Sequence, residues 1–340
     1  VSLPLSTRLP PPVAMAKFTH TTSSSFMVGA LFVIAVSSWY LLRGRHEAMA
    51  RRSIVVASVF GLVATAFVAF TGDRSAVEVA RTQPMKLAAF EGLFTGQKGA
   101  PLTLVGIVNG DKKPGDNQPA MRSAIQVPGL LGLLATHSLD TWVPGIDDLV
   151  LGNAEHGIMP AAERIDRGKA AIRDLTAYKK SVKAGDAEAA KASLAEFRKN
   201  EAHMGYGYLR SPGDLVPPVG PSFYAFHLMV IVFGLFAIVF ALFLYTAYRG
   251  TLASNRGLLV IGVASFFLAM IGSQAGWVVA EVGRQPWAIQ DMLPVNVAAT
   301  KIGAGDVQTT FFLFLTVFTL LLLAEIRIMT RQIGIGPKEA

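Results

Sequence analysis

The sequence predicts an all-α membrane protein with five transmembrane helices and a long extracytoplasmic loop containing amphipathic helices. Three observations carry that expectation. Of 340 residues, 52% are hydrophobic and only 16% charged, with mean hydropathy +0.44, whereas soluble domains run near 25% charged. Five apolar segments are each long enough to cross a hydrocarbon core of about 30 Å, which takes about 20 helical residues. Between the second and third lies a polar stretch, residues 73–218, with 18 basic and 17 acidic residues.

The first segment, Val13–Leu42, is the weakest, because Lys17, His20 and the run Thr21-Thr22-Ser23-Ser24-Ser25 make its opening turns polar. Before it stands Leu9-Pro10-Pro11-Pro12, and the chain opens on Val1 without a charged n-region or small-residue cleavage site. That is not a signal peptide, and it reads as a chain whose beginning is missing. The second segment is Ser53–Gly72, the third Ser222–Tyr248, the fourth Gly257–Val282 and the fifth Thr309–Thr330. The chain therefore divides into 1–72 with two spans, the 73–218 loop, and 219–340 with three spans and a cytoplasmic tail.

Charge fixes the expected orientation. The net charge of +8 lies largely outside the neutral insert, in Arg43, Arg45, Arg51 and Arg52, in the Arg249–Arg256 loop, and in a tail with Arg327, Arg331 and Lys338. All of these fall on one side, the positive-inside pattern, rather than forming a nucleic-acid patch. The 73–218 insert and the 283–308 loop then lie outside. With no cysteine, disulfides, thiolate metal sites and cysteine nucleophiles are excluded.

An insert of this length is either functional or disordered. It opens with Lys86-Leu-Ala-Ala-Phe-Glu91, passes the turn-rich Asn109-Gly-Asp-Lys-Lys-Pro-Gly-Asp116, and then becomes helical. Ala161–Val182 and Asp186–His203 flank Ala184-Gly185, with Ile165, Ile172, Leu175, Leu194 and Phe197 at near-helical spacing, so a helical hairpin is expected. The stretch from Ser211 to Pro221 carries four prolines and returns the chain to the membrane.

Few side chains could carry chemistry. Glu281 is the only charge in Gly257–Val282, and Arg284, Pro286 and Trp287 follow it. An ionisable group at membrane depth costs roughly 2.5–3.5 kcal/mol, so Glu281 is either a snorkelling charge paired with Arg284 one turn on or a functional group. Of six histidines, His46, His137, His156 and His203 lie in loops or the insert, while His20 and His227 sit one to two turns inside spanning segments. Met229 shares that depth. A lone membrane histidine is more often hydrogen-bonded packing, and a lone methionine core filler. Yet the first and third helices run in the same direction, and an imidazole facing a thioether forms a His/Met axial pair for haem. Lys86 and Glu91 alone read as an i,i+5 pair on an exposed helix start.

The string Gly276-Trp277-Val-Val-Ala-Glu281-Val-Gly283-Arg284-Gln285-Pro286-Trp287 resembles the signature of subunit I of cytochrome bd-type quinol oxidases. The similarity includes Ala16-Lys17-Phe18-Thr19-His20-Thr21, Gly72-Asp73, Lys86 to Glu91, Ala124-Ile125-Gln126-Val127-Pro128, Ser138-Leu139-Asp140-Thr141, Gly205-Tyr206-Gly207 and Phe226-His227-Leu228-Met229-Val230. These strings fall in the family's order across residues 13–330.

That resemblance implies a ubiquinol or menaquinol oxidase of the bacterial cytoplasmic (inner) membrane that reduces dioxygen to water. His20 and Met229 would ligate a low-spin haem b. Glu281 would be an axial ligand in a centre of high-spin haem b and haem d, with Arg284 neutralising a propionate or Glu281 and Trp277 packing on a porphyrin. The insert would be a periplasmic quinol-binding loop, with Glu91 accepting a proton and Lys86 polarising a quinone oxygen. A second oxidase subunit and small accessory membrane subunits would be partners; nucleic acid would not. Two departures stand out. His227 occupies a place where the family commonly carries Arg, and could rival His20 as a ligand. Four further membrane helices, expected at the start of the family's subunit, are absent. The alternatives are a non-enzymatic transporter, with Glu281 and Arg284 as a gating pair, and an inactive truncated fragment.

Overall fold

The computed structural model describes residues 12–337; the Leu9-Pro10-Pro11 run and Lys338 lie outside the described residues. Helix α1 (Pro12–Leu42) is followed by α2 (Glu47–Thr82) and the short α3 (Pro84–Glu91). Then come strands β1 (Gln97–Lys98), β2 (Leu102–Val108) and β3 (Met121–Val127), helix α4 (Leu130–Thr136), strand β4 (Trp142–Val143) and helix α5 (Ile146–Leu151). The insert continues with α6 (Ala161–Ala184) and α7 (Ala187–Asn200), then 3-10 turns at Glu201–Tyr208 and Pro212–Leu215. Helices α8 (Val219–Tyr248) and α9 (Arg256–Val282), strands β5 (Trp287–Ile289) and β6 (Leu293–Pro294), and helices α10 (Val295–Ala298) and α11 (Ala304–Ile335) complete the order.

Among the described residues, five helices are long and apolar enough to cross a membrane: Ala14–Leu42, Glu47–Thr82, Pro212–Tyr248, Arg256–Val282 and Ala304–Ile335. They match the five expected segments, with longer ends. The largest extension is in α2, which runs past Gly72 through Asp73, Arg74, Glu78 and Arg81. Arg81 pairs with Glu78 at 3.0 Å on that extension. The helix ends two residues before Pro84, whose ring cannot continue the hydrogen-bond ladder.

The expected hairpin is present, and its caps explain its bounds. Gly185 closes α6 at φ 74°, a left-handed cap that glycine adopts without a Cβ penalty. Asp186 opens α7 by accepting a hydrogen bond from Ala189 N at 3.0 Å. The structure adds three two-stranded antiparallel sheets to the helical plan, β1 with β4, β2 with β3, and β5 with β6. The turn-rich Asn109–Asp116 stretch is the connection of the second. There the Lys112 ammonium bonds Asp116 Oδ1 at 2.8 Å and lies over the Phe94 ring.

The chain separates into two compact units, each drawing on parts of α1, α2, α8 and α9. One, 26–63 with 236–269 and 299–337, has Leu31, Ile34, Ile54, Phe240, Phe243 and Leu259 fully buried. In it the Tyr40 hydroxyl donates to Ile333 O at 2.9 Å. The other, 12–25 with 64–235 and 270–298, contains the whole insert and every proposed site residue. Its core has two clusters. Met85, Ala88, Phe94, Ile146, Ile165, Tyr206 and Trp287 form one; Leu87, Phe90, Ala100, Leu131, Val143 and Val279 form the other. Helix α3 supplies residues to both, so its eight residues are wedged between them.

Candidate functional site

Helix α3 is short, preorganised and buried. Pro84 at its start needs no hydrogen-bond partner for its nitrogen, and Gly92 at φ 65° returns its N–H to Ala88 O and Ala89 O. Seven of its eight residues, Met85 to Glu91, are buried. This corrects the expectation of an exposed i,i+5 pair: Lys86 is 8% and Glu91 4% exposed. The apolar clusters on both sides of α3 withdraw the two side chains from water.

Lys86 lies along the last turns of α9. Its ammonium donates to Ala280 O at 3.4 Å, and a Cβ on Gly283 would stand 3.4 Å from Lys86 Cε and 2.6 Å from Val279 O. Glycine at 283 therefore gives the lysine its seat. Burial, with help from Lys17 and Arg284 and opposed by Glu281, lowers the ammonium pKa to about 8. Glu91 is at the other end of α3, where burial pushes its carboxyl up to about 8. Its Oε2 has no hydrogen-bond partner among the described residues, and Phe90 beside it stacks on Phe226 at 4.2 Å. At neutral pH the pair is a charged lysine and a protonated glutamic acid. Glu91 therefore becomes a proton acceptor only as the pH approaches 8.

The carboxylate of Glu281 accepts from Arg284 at 2.5 Å, with the two side chains 40% and 38% exposed. Arg284 also donates to Ala288 O at 3.2 Å, and its Nε is buried without a partner among the described residues. Trp277, one turn earlier on α9, is 64% exposed.

His20 and Met229 each face a glycine of a neighbouring helix. A Cβ on Gly72 would stand 3.4 Å from His20 Cε1, and one on Gly276 would stand 3.0 Å from Met229 Sδ. His20 Nδ1 lies 3.1 Å from Thr71 Oγ1. The Thr71 hydroxyl already donates to Phe67 O at 2.8 Å, so its oxygen accepts from Nδ1–H. That arrangement suits the tautomer with the lone pair on Nε2, the form that ligates a metal. Thr71 was not singled out from the sequence; its place one residue before Gly72 was the available signal.

His227 is 9% exposed and stacks on Phe223 at 3.9 Å. Its Nδ1 lies 2.8 Å from Phe223 O and its Nε2 2.6 Å from Thr103 O. Both ring nitrogens thus face carbonyl oxygens, which only accept. Both nitrogens are therefore engaged by backbone carbonyls rather than held free for a metal.

Haem suits this donor set. An imidazole and a thioether are an axial pair that can hold haem iron, and Glu281 adds a carboxylate to the set. Among the described residues no three His, Cys, Asp or Glu side chains converge as a metal-ion site would require.

Residues 7–337 match the family described as cytochrome bd terminal oxidase subunit I. The chain is similar to cytochrome bd-II ubiquinol oxidase subunit 1 of Escherichia coli (strain K12), 36% identical over 96% of this chain and 63% of the relative. It is also similar to cytochrome bd ubiquinol oxidase subunit 1 of Bacillus subtilis (strain 168), 24% identical over 96% of this chain and 57% of the relative. The bd oxidase of Geobacillus thermodenitrificans shares the fold, with TM-score 0.69 at 23% identity over 96% of this chain and 59% of that one. The chain thus spans about three-fifths of the length of these relatives.

Proposed function

The chain belongs to the cytochrome bd terminal oxidase subunit I family, and on that premise we propose that it is the quinol-oxidising, haem-bearing part of a terminal oxidase of the bacterial inner membrane. Haem, when bound, supplies the acceptors for quinol electrons and the iron at which dioxygen is reduced to water. His20 and Met229 would hold the low-spin haem b, and Glu281 would hold one of the high-spin pair, haem b or haem d. Arg284 pairs with Glu281 and offers its buried Nε to a propionate, while the exposed Trp277 offers a ring to a porphyrin face. The second oxidase subunit, small accessory subunits, ubiquinol or menaquinol, and the periplasmic side for the insert belong to the same proposal. The charge asymmetry of the loops supports that side.

One observation carries the quinol assignment: Lys86 and Glu91 are buried outside the spanning helices, each with its pKa brought to about 8. Oxidising a quinol releases two protons with its two electrons, and a base is most effective with a pKa near the working pH. The Glu91 carboxylate takes a proton from the quinol hydroxyl, and the Lys86 ammonium donates a hydrogen bond to the other oxygen. Through Ala280 and Gly283, Lys86 rests on the turns that bear Glu281 and Arg284, so the quinol position adjoins the proposed ligand layer.

The test is substitution in the purified protein with quinol oxidation and haem content measured together. Lys86→Ala and Glu91→Ala each lower quinol oxidation by about 100-fold or more, the usual scale for losing an acid/base group, and leave haem content unchanged. Wild-type turnover, or loss of haem in either variant, defeats the assignment.

A further inference from the structure

The β2–β3 hairpin has two unlike faces. A bulge between Thr103 and Val105 makes Leu104 the extra residue, and beyond it Val105 pairs with Ile125 and Ile107 with Ser123. The extra residue shifts the alternation, so Thr103 and Gly106 share the inner face. Thr103 is 2% exposed and accepts from Gln126 Nε2 at 3.0 Å, and a Cβ on Gly106 would stand 3.4 Å from Phe223 Cζ. The outer face is bare and, apart from Ser123, apolar. Val105 is 57%, Ile107 53%, Ile125 66% and Leu104 43% exposed.

What covers that face follows from where the hairpin is fastened. Val108 N donates to the Tyr224 hydroxyl at 3.1 Å, and His227 donates to Thr103 O at 2.6 Å. Both anchors lie on the first turns of the α8 apolar run, where a tyrosine marks the membrane–water interface. Below Tyr224, the residues Leu228, Ile231 and Leu235 continue at helical spacing and are 40%, 54% and 41% exposed. The bare face of the hairpin is therefore continuous with a lipid-facing stripe of a spanning helix. In water, paired β-branched residues on an open two-stranded ribbon would be an aggregation hazard. Deep in hydrocarbon, the unpaired strand edges would each cost several kcal/mol. The boundary of headgroups and upper acyl chains satisfies both constraints.

We propose that the β2–β3 hairpin is a membrane-dipping element, with Leu104, Val105, Ile107 and Ile125 resting among the upper acyl chains beside the Ser222 end of α8. The inference needs α8 to span the membrane and does not depend on the assignment of quinol or haem.

The chain has no cysteine, so single Val105→Cys and Ile125→Cys variants can each carry one environment-sensitive fluorophore. Ala184→Cys at the tip of the α6–α7 hairpin is the aqueous control. The purified protein is placed in phosphatidylethanolamine–phosphatidylglycerol vesicles containing lipids spin-labelled at carbon 5 or carbon 12, and iodide is added from outside. At 105 and 125, quenching by the carbon-5 label exceeds that by carbon 12 at least twofold, and iodide has little effect. At 184 only iodide quenches. Iodide quenching at 105 and 125 without lipid quenching means a face in water; no quenching by either means a face covered by protein. Each outcome overturns the proposal, as does stronger quenching by carbon 12.

Discussion

Helix α3 and the α6–α7 hairpin are both helical, both lie in the 73–218 insert, and both carry Lys and Glu. They treat those charges in opposite ways. In α3, seven of eight residues are buried and the two ionisable groups go down with them. In α6, only Ala161, Ile165, Gly168 and Ala171 of 24 residues are buried, and the charges pair at the surface, as Arg167 does with Glu163 at 2.7 Å. The hairpin follows the ordinary economy of an amphipathic helix, polar groups outward with their hydration kept. Helix α3 does not, and a fold retains a buried charge against its desolvation cost chiefly where chemistry uses it. The Glu281–Arg284 pair is the instructive intermediate. In length and exposure it resembles the hairpin pairs, 2.5 Å and 40%/38% against 2.7 Å and 48%/44% for Glu163–Arg167, yet it stands on the turns that seat Lys86.

The largest expected effect breaks or confirms that distinction. Glu281→Gln keeps the size and removes the anion. As a haem ligand, its loss removes one or both high-spin haems and lowers dioxygen consumption by 100-fold or more, while the low-spin signal persists. His20→Ala or Met229→Leu gives the converse, with the low-spin signal lost. As a surface pair like those of the hairpin, Glu281→Gln costs at most about 1 kcal/mol and leaves every haem in place. Haem extraction and reduced-minus-oxidised spectra separate the two results.

A second effect tests the burial of α3 by pH. The folded chain holds the Glu91 proton more tightly than the unfolded chain, since burial raises the carboxyl from 4.5 to about 8. That contribution to stability is whole below the unfolded value and is lost progressively as the pH climbs to about 8. Glu91→Gln has no proton to lose. Its stability advantage over wild type therefore grows from pH 5 to 8, reaching on the order of 4 kcal/mol, and is level above. Thermal melts across that range give the difference directly; a gap independent of pH would mean that Glu91 is not desolvated.

The spans and the hairpin were legible because period, length and composition are local signals. The Ala184-Gly185 break and Asp186 marked the hairpin turn one residue from where the caps stand. The extension of α2 was hidden by Asp73 and Arg74, which look like a segment end but ride on a helix that continues to Thr82. Strands of two or three residues leave no readable period, and in β2 the bulge at Leu104 breaks the alternation that would have revealed it. Lys86 and Glu91 could be named from their string, but not their burial, because the carbonyl that receives Lys86 is 194 residues away. The same distance problem concealed the carbonyls around His227 and the hydroxyl that orients His20.

The smallest effects belong to the hairpin, and they show how it is held. Tyr206 donates to Asp291 Oδ1 at 2.6 Å, accepts from Arg164 at 3.1 Å, and packs edge-on to Trp287. These contacts fasten the end of the arm to the β5–β6 turn, where Asp291 takes φ 59°. Tyr206→Phe keeps the ring packing but removes the bonds to a carboxylate that retains only Gln290, so it costs about 1–2 kcal/mol. Glu163→Gln, on α6, loses only a solvated pair and shifts stability by no more than about 0.5 kcal/mol. Neither variant changes haem content or quinol oxidation if the arm is scaffold. Denaturant melts and turnover on the two variants provide the check, and a loss of quinol oxidation in Glu163→Gln at unchanged stability would place chemistry in the hairpin and erase its contrast with α3.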